Sequence, residues 1–364
     1  MKIPYSKPSI TNLEIEYVND AVSNGWGDHC YDYIEKFQTE FAKYLGVKFC
    51  VATSSCTGAL HLGLAALGIK TGDEVIVPNT TWIASVNPVL YLGATPIFVD
   101  ISSKDWCLDP ELIEEKITHK TRAIIVTHLY GNTAEVIRMK SIAEKYNLYL
   151  IEDAAEALGA KINGQPVGTF GHMAVFSFHG TKMVTTGEGG MVVTNDSEMH
   201  DRILQLNNHG RSASKHKQFW SESMGYKYKI SNIQAALGLA QLHRIEHLIK
   251  RKREIFFEYL SRLSSLNIEM NKEKSNCIFS FWMPTIQFNQ YDMDSSDLFK
   301  SLYDLGINAR HVFWPVTQFP FIAKQVNTPI SFNFSRKALN LPSFHDITEQ
   351  EIDYITESIK SLII

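Results

Sequence analysis

Lys182 stands in the stretch Ser177–Gly190, SFHGTKMVTTGEGG. An apolar run, Met173 to Phe178, leads into it, and a second, Met191 to Thr194, leads away. A lysine in a short loop between two buried strands cannot solvate freely. Desolvation lowers the pKa of an amine, so such a side chain can act as a Schiff-base nucleophile. An exposed loop lysine is the alternative, and the commoner fate of lysines. A second group is the turn Thr53-Ser54-Ser55-Cys56-Thr57-Gly58, which follows a strand-like run and opens a helix-like one, ALHLGLAALGI. Free N–H groups and the positive end of a helix dipole suit a phosphate there, and hydroxyls add donors. A serine N-cap explains the same residues. A third group is Asp153, placed after the apolar run LYLI. A carboxylate at the end of a buried strand needs a cation or donors. It can cap the next segment or pair with a protonated heterocycle nitrogen. A cofactor with a phosphate, a basic ring nitrogen and an aldehyde would engage all three groups, and pyridoxal 5′-phosphate is such a molecule.

The elements that must position these groups alternate. Helical patterns are read over 12–24, 31–45, 59–69, 81–91, 109–117, 134–146 and 197–208. Strands are read at 49–52, 74–77, 95–99, 123–127 and 148–151, besides the two that flank Lys182. Buried strands alternating with helices predict a mostly parallel α/β sheet covered on both faces. Ligands in such sheets bind beyond the carboxyl ends of the strands, where all three groups fall. A polar loop over 209–222 and a long helix from about Ser231 follow. The basic run Lys250-Arg251-Lys252-Arg253 reads as a solvated helix face. From there the pattern becomes helix 254–264, strand 278–288, helix 294–305, loop 310–315 and helix 348–362. The expected division is a large domain, 1–245, and a small C-terminal α+β domain, 246–364.

Composition bounds the function. The chain has 364 residues, 45% hydrophobic and 20% charged, with a net charge of −4. That argues against a nucleic-acid footprint or a membrane-surface patch. The five cysteines are scattered without CxxC pairs, so neither a metal site nor a disulfide framework is expected. With no apolar leader and no apolar run long enough to span a bilayer, a cytoplasmic location is expected. No G-x-G-x-x-G follows a strand with an acidic residue downstream, which disfavours a nucleotide-binding oxidoreductase.

The sequence resembles the sugar aminotransferases of the DegT/DnrJ/StrS family over nearly its whole length. The matching stretches are GDEVIVPNTTWIASVNPVLYLGATPIFVDI (72–101), THLYGN (127–132), LIEDAAEALGA (150–160), VGTFGHMAVFSFHGTKMVTTGEGGMVVTND (167–196), GYKYKISNIQAALGLAQL (225–242) and LNLPSF (339–344). The resemblance implies the aspartate-aminotransferase-like, type I fold and a homodimer with active sites at the subunit interface. It assigns Lys182 as the covalent anchor of pyridoxal 5′-phosphate and Asp153 as the partner of its ring nitrogen. Glu156 matches the residue beside the ring hydroxyl, and Trp82 the aromatic that stacks on the ring. Cys56, Thr57 and Ser177 match the phosphate cradle. The family's deoxygenating branch carries histidine where Lys182 stands, so transamination is implied.

Two departures stand out. Lys227 and Lys229 replace the asparagine and arginine of the family's GYNYR, whose asparagine reaches the phosphate of the neighbouring subunit. Cys56 replaces a glycine, which demands a backbone conformation open to a residue with a Cβ. Trp26, His29, Glu188, His311 and Trp314 are the candidate substrate contacts, with Lys227 and Phe313 in the same loops. Trp314, before Pro315, suits packing between domains equally well. His128 and His179 read as core or supporting residues. The implied reaction moves an amino group from L-glutamate to a nucleotide-linked 4-keto-6-deoxy sugar, leaving 2-oxoglutarate. The 4-amino-4,6-dideoxy product would serve a surface polysaccharide. A 3-keto substrate and a non-catalytic regulatory member are the alternatives.

Overall fold

The computed structural model describes residues 2–211, 217, 219–322 and 326–363. The polar loop expected at 209–222 therefore lies partly outside the described residues. Two amphipathic helices open the chain. α1 (Asn12–Asn24) begins in a capping box between Thr11 and Glu14, and α2 (Asp32–Leu45) buries Phe37, Phe41 and Leu45.

The alternating part follows. β1 (Phe49–Thr53) feeds α3 (Cys56–Ala66), and β2 (Glu74–Pro78) is followed by the short helix α4 (Asn87–Tyr91) and β3 (Thr95–Val99). β4 (Thr121–Thr127), α5 (Val136–Tyr146) and β5 (Tyr149–Asp153) come next. A small excursion, β6 (Lys161–Ile162) and β7 (Gln165–Pro166), precedes β8 (Met173–Ser177) and β9 (Gly190–Thr194). Seven strands form one sheet in the order β1-β9-β8-β5-β4-β2-β3. β9 runs antiparallel to both neighbours, β1 and β8, and the other pairings are parallel. β8 and β9 are joined by a loop and no helix, so the antiparallel pairing is the accessible one.

Alternate residues of the central strands enter different cores. Ile124 and Val126 pack with Phe37 and Phe41, whereas Ala123 and Ile125 pack with Leu60 and Leu64 of α3. One expected helix is absent. Residues 109–117 form two 3₁₀ turns, Pro110–Leu112 and Glu114–Lys116. The Asp109 carboxylate accepts the Glu111 N–H, and that local bond closes a tight turn in place of an α-helical start.

α6 (Ser197–Leu206), α7 (Asn232–His243) and α8 (Ile245–Arg262) lead to the second unit. It contains β10 (Glu269–Met270), β11 (Cys277–Ile278), β12 (Thr285–Gln287), α9 (Ser295–Asp304) and β13 (Arg310–His311). α10 (Pro329–Lys337), β14 (Ala338–Asn340) and α11 (Glu349–Ile363) complete it. β10-β12-β14-β13 make an antiparallel sheet over a third core of Tyr259, Leu298, Leu302 and Ile355. The single strand expected over 278–288 is broken. β11 pairs with β6, while only β12 joins the second sheet, and Phe281 between them takes a φ of 49°.

We propose a domain division at 245/246, the start of α8. Leu248 and Ile249 in its first turns pack into the large core, and Ile255 and Tyr259 into the third. Ile3 bridges to Ile307, so the N-terminal residues run beside the small sheet. No described helix is long and apolar enough to cross a membrane.

Candidate active site

The register of the large sheet gathers its reactive ends. Thr53, Gly190 and Ser177 are neighbours across β1, β9 and β8, and Asp153 of β5 is paired with Thr127 of β4. Ser177, Asp153 and Thr127 border a cavity of about 630 Å³. Cys56, Thr57, Trp82, Asp153, Glu156 and Ser177 line it. Lys182, Glu188, His311 and Trp314 line it too.

One wall is the start of α3. The Ser55 hydroxyl accepts the Gly58 N–H at 3.0 Å, which caps the helix, and Ser55, Cys56 and Thr57 at its start line the cavity. The capping and anion-binding readings of this turn are therefore compatible. Cys56 is the first residue of α3 and has ordinary helical backbone, so its Cβ is accommodated without the special conformation a glycine would have offered. The close approach falls instead on Gly190, where an added Cβ would lie 2.5 Å from the Cys56 nitrogen. Burial, reinforced by the Asp153 charge, pushes the Cys56 thiol well up, so it stays neutral.

Asp153 is almost wholly buried and satisfied on one side. Its Oδ2 accepts from Ser85 Oγ at 2.6 Å, and its Oδ1 from the Ala155 N–H at 3.1 Å. The Ala155 bond is the turn role expected of the residue, and the same carboxylate still lines the cavity. Lys182 is 13% exposed, and its Nζ donates to Glu156 Oε1 at 3.1 Å. The same Nζ lies 3.8 Å from the centre of the Trp282 ring. Glu156 Oε2 accepts the Tyr130 N–H at 2.9 Å. Burial raises the pKa of the Glu156 carboxyl, while Lys182 and the Tyr130 N–H favour its anion.

The remaining wall is aromatic. Trp82 is 5.5 Å from Phe313, and His311 is sandwiched between Phe299 at 4.6 Å and Trp314 at 5.4 Å. His311 Nδ1 is buried with no partner among the described residues. His179, expected to be a core or supporting residue, is exposed, lines the cavity and lies 3.6 Å from Glu188. His128 is a core residue as expected, bonded to Glu152 at 3.1 Å.

Three expected residues are not in this chain's cavity. Trp26 is exposed and bonded to the Val22 carbonyl, and His29 lines a separate small pocket beside Asp32. Lys227 is exposed on the 225–229 segment.

The model of the DegT/DnrJ/EryC1/StrS aminotransferase family matches residues 8–360. The chain belongs to this family. It is 43% identical over 358 residues to a GDP-perosamine synthase of Escherichia coli O157:H7, covering 98% of this chain and 97% of that one. It is 38% identical to a GDP-perosamine synthase of Vibrio cholerae, over 99% of this chain and 98% of that one. The pyridoxal-phosphate form of a putative sugar aminotransferase from Streptococcus pneumoniae superposes with a TM-score of 0.93 at 28% identity. That match covers 100% of this chain and 98% of the other. This DegT-family protein is a transaminase of the type I fold that uses pyridoxal 5′-phosphate. The residues present fit that group: the start of α3 for the phosphate, a carboxylate for the ring nitrogen and one amine for the aldehyde.

Sequence reasoning missed the residues that hold Lys182 in place. Trp282 donates its indole N–H to the Thr181 carbonyl at 2.7 Å while its ring faces Nζ. Its own carbonyl accepts from Lys252 Nζ at 3.2 Å, which also reaches the Ser343 carbonyl at 2.7 Å and hydroxyl at 2.9 Å. Lys252 is 2% exposed, so it departs from the solvated face expected of the basic run 250–253, while Lys250 keeps to it. No local pattern announces this, because α8, the 280–283 turn and the LPSF loop meet only in the fold.

Burial pushes the Lys252 amine down to about 7. The unfolded chain keeps that proton up to a pKa of roughly 10.4 and so binds more protons between the two values. The contribution of this group to stability therefore rises with pH over that window and is lost as pH falls through 7. Lys252→Met is expected to remove about 2 kcal/mol of the stability gained between pH 7 and 9. Urea unfolding of both proteins across that range checks it, and identical pH slopes would contradict it.

Proposed function

We propose that this enzyme transfers the amino group of L-glutamate to a nucleotide-linked 4-keto-6-deoxy sugar. The products are 2-oxoglutarate and a 4-amino-4,6-dideoxy sugar destined for a surface polysaccharide. The observation that carries the proposal is 43% identity over 98% of the chain to a GDP-perosamine synthase, with a lysine at position 182 inside the cavity. Those relatives favour GDP as the carrier. The aromatic wall around His311 and Trp314 supports the reading, since it offers stacking surface to a sugar nucleotide.

Bound in the cavity, pyridoxal 5′-phosphate supplies an electron-poor ring that withdraws charge from the donor's Cα–H bond. The amides of Cys56 and Thr57, with Ser177, would hold the phosphate. Asp153, fixed by Ser85, would hold a proton on the ring nitrogen. Trp82 and Glu156, which line the same cavity, would hold the ring. Lys182 Nζ takes the proton from the donor's Cα and later returns one to the sugar's C4. Glu156 and Trp282 keep Nζ at the place from which both transfers are made.

We also propose a homodimer with the sites at its interface. Trp26, His29 and Lys227 lie outside this chain's cavity, and exposed Trp26, Phe219, Trp220 and Met224 give the apolar surface such an interface needs. In this arrangement Lys227 reaches the phosphate of the second copy. The protein is placed in the cytoplasm, where sugar nucleotides are made.

The test uses the yellow holoenzyme. L-Glutamate alone is expected to bleach the long-wavelength band and release one 2-oxoglutarate per site. A GDP-linked 4-keto-6-deoxyhexose then restores the band and yields the amino sugar. Restoration by 3-keto sugars only, or by no keto sugar, would refute the substrate assignment.

A further inference from the structure

The aromatic wall of the cavity is a strap of mostly irregular backbone. From β13 the chain runs through Val312, Phe313, Trp314 and Pro315 into a 3₁₀ turn, Val316–Gln318, and on to Phe319. Phe313, Trp314 and Phe319 line the cavity, and Phe321 stacks on Phe319 with ring centres 5.8 Å apart. Irregular backbone lacks the ladder bonds of a strand, so its position is set by whatever side chains satisfy its polar groups.

Asn79, the residue after β2, supplies that anchor without lining the cavity itself. It is fully buried. Its Oδ1 accepts the Thr317 N–H at 3.0 Å, and its Nδ2 donates to Thr317 Oγ1 at 3.0 Å and to Thr328 Oγ1 at 2.6 Å. Its backbone carbonyl accepts the Val316 N–H at 2.8 Å. One amide thus fastens the strap at Thr317 and the returning chain at Thr328, just before α10. The neighbouring strand continues the fastening. Asp100, after β3, accepts the N–H groups of Ile330 and Ser331 at 2.9 and 2.8 Å and so caps α10. Thr317 and Thr328 are buried, so loss of the Asn79 amide would leave an N–H and two hydroxyls without their partner.

The reacting end of the cavity is anchored separately. The Thr81 hydroxyl bonds to Ser85 at 2.8 Å and Thr127 at 3.2 Å, and Ser85 holds Asp153. Lys182 is held by Glu156 and Trp282. At the inner end of the strap, the Phe313 N–H donates to the Tyr130 hydroxyl at 2.8 Å. What remains for the Asn79 amide is the outer wall, from Trp314 to Phe319. We propose that Asn79 is a positioning residue for the amino acceptor: its amide fixes the wall against which the sugar nucleotide packs. This rests on the reading of a nucleotide-linked keto sugar as acceptor.

The two half-reactions separate positioning of the acceptor from general support of the fold. Asn79→Ala is expected to raise the concentration of GDP-linked 4-keto-6-deoxyhexose for half-maximal band restoration roughly 30-fold. Bleaching by L-glutamate stays within about threefold of wild type. Asn79→Asp recovers most of the loss, because one carboxylate oxygen still accepts the Thr317 N–H and both hydroxyls can donate to the other. Thr317→Val and Thr328→Val each raise the same concentration several-fold, and either one adds less than its single effect when combined with Asn79→Ala. The threonine variants carry the test if Asn79→Ala does not fold. A loss in the L-glutamate half-reaction equal to or larger than that with the sugar overturns the proposal. So does an unchanged sugar concentration, or an Asn79→Asp enzyme as impaired as Asn79→Ala. If the wild type is not restored by the sugar nucleotide, the acceptor reading itself falls and takes this role with it.

Discussion

Lys182→Ala is expected to lower turnover by at least about 10⁴-fold while leaving a folded protein. Among the described residues, its Nζ is the lysine amine that lines the cavity. The stability change is expected to stay within about 2 kcal/mol. Losing the 3.1 Å pair with Glu156 strands a buried carboxylate, but burial already raises that carboxyl's pKa, so it can take a proton instead of standing bare. Lys182→Arg should be as inactive as alanine, because a guanidinium keeps its proton and cannot shuttle one. Steady-state turnover paired with urea midpoints measures both halves of this expectation. Retained steady turnover in the alanine variant would refute the role given to Lys182.

Asp153→Asn is expected to cost about 10³-fold in turnover, or roughly 4 kcal/mol at the transition state. An amide cannot stabilise a proton on a ring nitrogen, so the electron demand made on the donor's Cα–H bond falls. The fold should hold. Ser85 Oγ can turn from position 153 to Thr81, whose hydroxyl is 2.8 Å away. The expected signature is a slow half-reaction with L-glutamate and near-normal cofactor binding. An Asp153→Asn enzyme within tenfold of wild type would mean that the carboxylate serves the turn before Ala155 and little else.

Much of this site is legible in the sequence. The hydroxyl-rich turn, the aspartate and the lysine each end or follow a buried strand, and strand ends of a parallel sheet share one edge. Their meeting in one cavity therefore follows from the alternation of elements. The same logic could not reach Trp282 or Asn79. Trp282 lies between β11 and β12, far along the chain from Lys182, and the partners of the Asn79 amide at Thr317 and Thr328 meet it only in the fold. The broken strand at 278–288 misled for a physical reason. Its composition is strand-like, yet Gly131 packs with room for no Cβ against the Phe281 and Trp282 nitrogens, and Phe281 takes a positive φ to allow it. Lys252 misled in the opposite way. Its basic neighbours suggest solvent, but three acceptors from two distant loops hold it inside. Trp26, His29 and Lys227 were placed near the substrate by resemblance alone, and a second copy of the chain is what their roles require.

The proposed chemistry requires a covalent bond between one side-chain amine and the cofactor's aldehyde. Borohydride reduction of the holoenzyme, followed by proteolysis and mass analysis, reads that bond directly. The expected result is a pyridoxyl-phosphate adduct on the peptide containing Lys182, in close to one copy per chain, and absent from Lys182→Ala. An adduct on another lysine, or no adduct from a yellow protein, would contradict it.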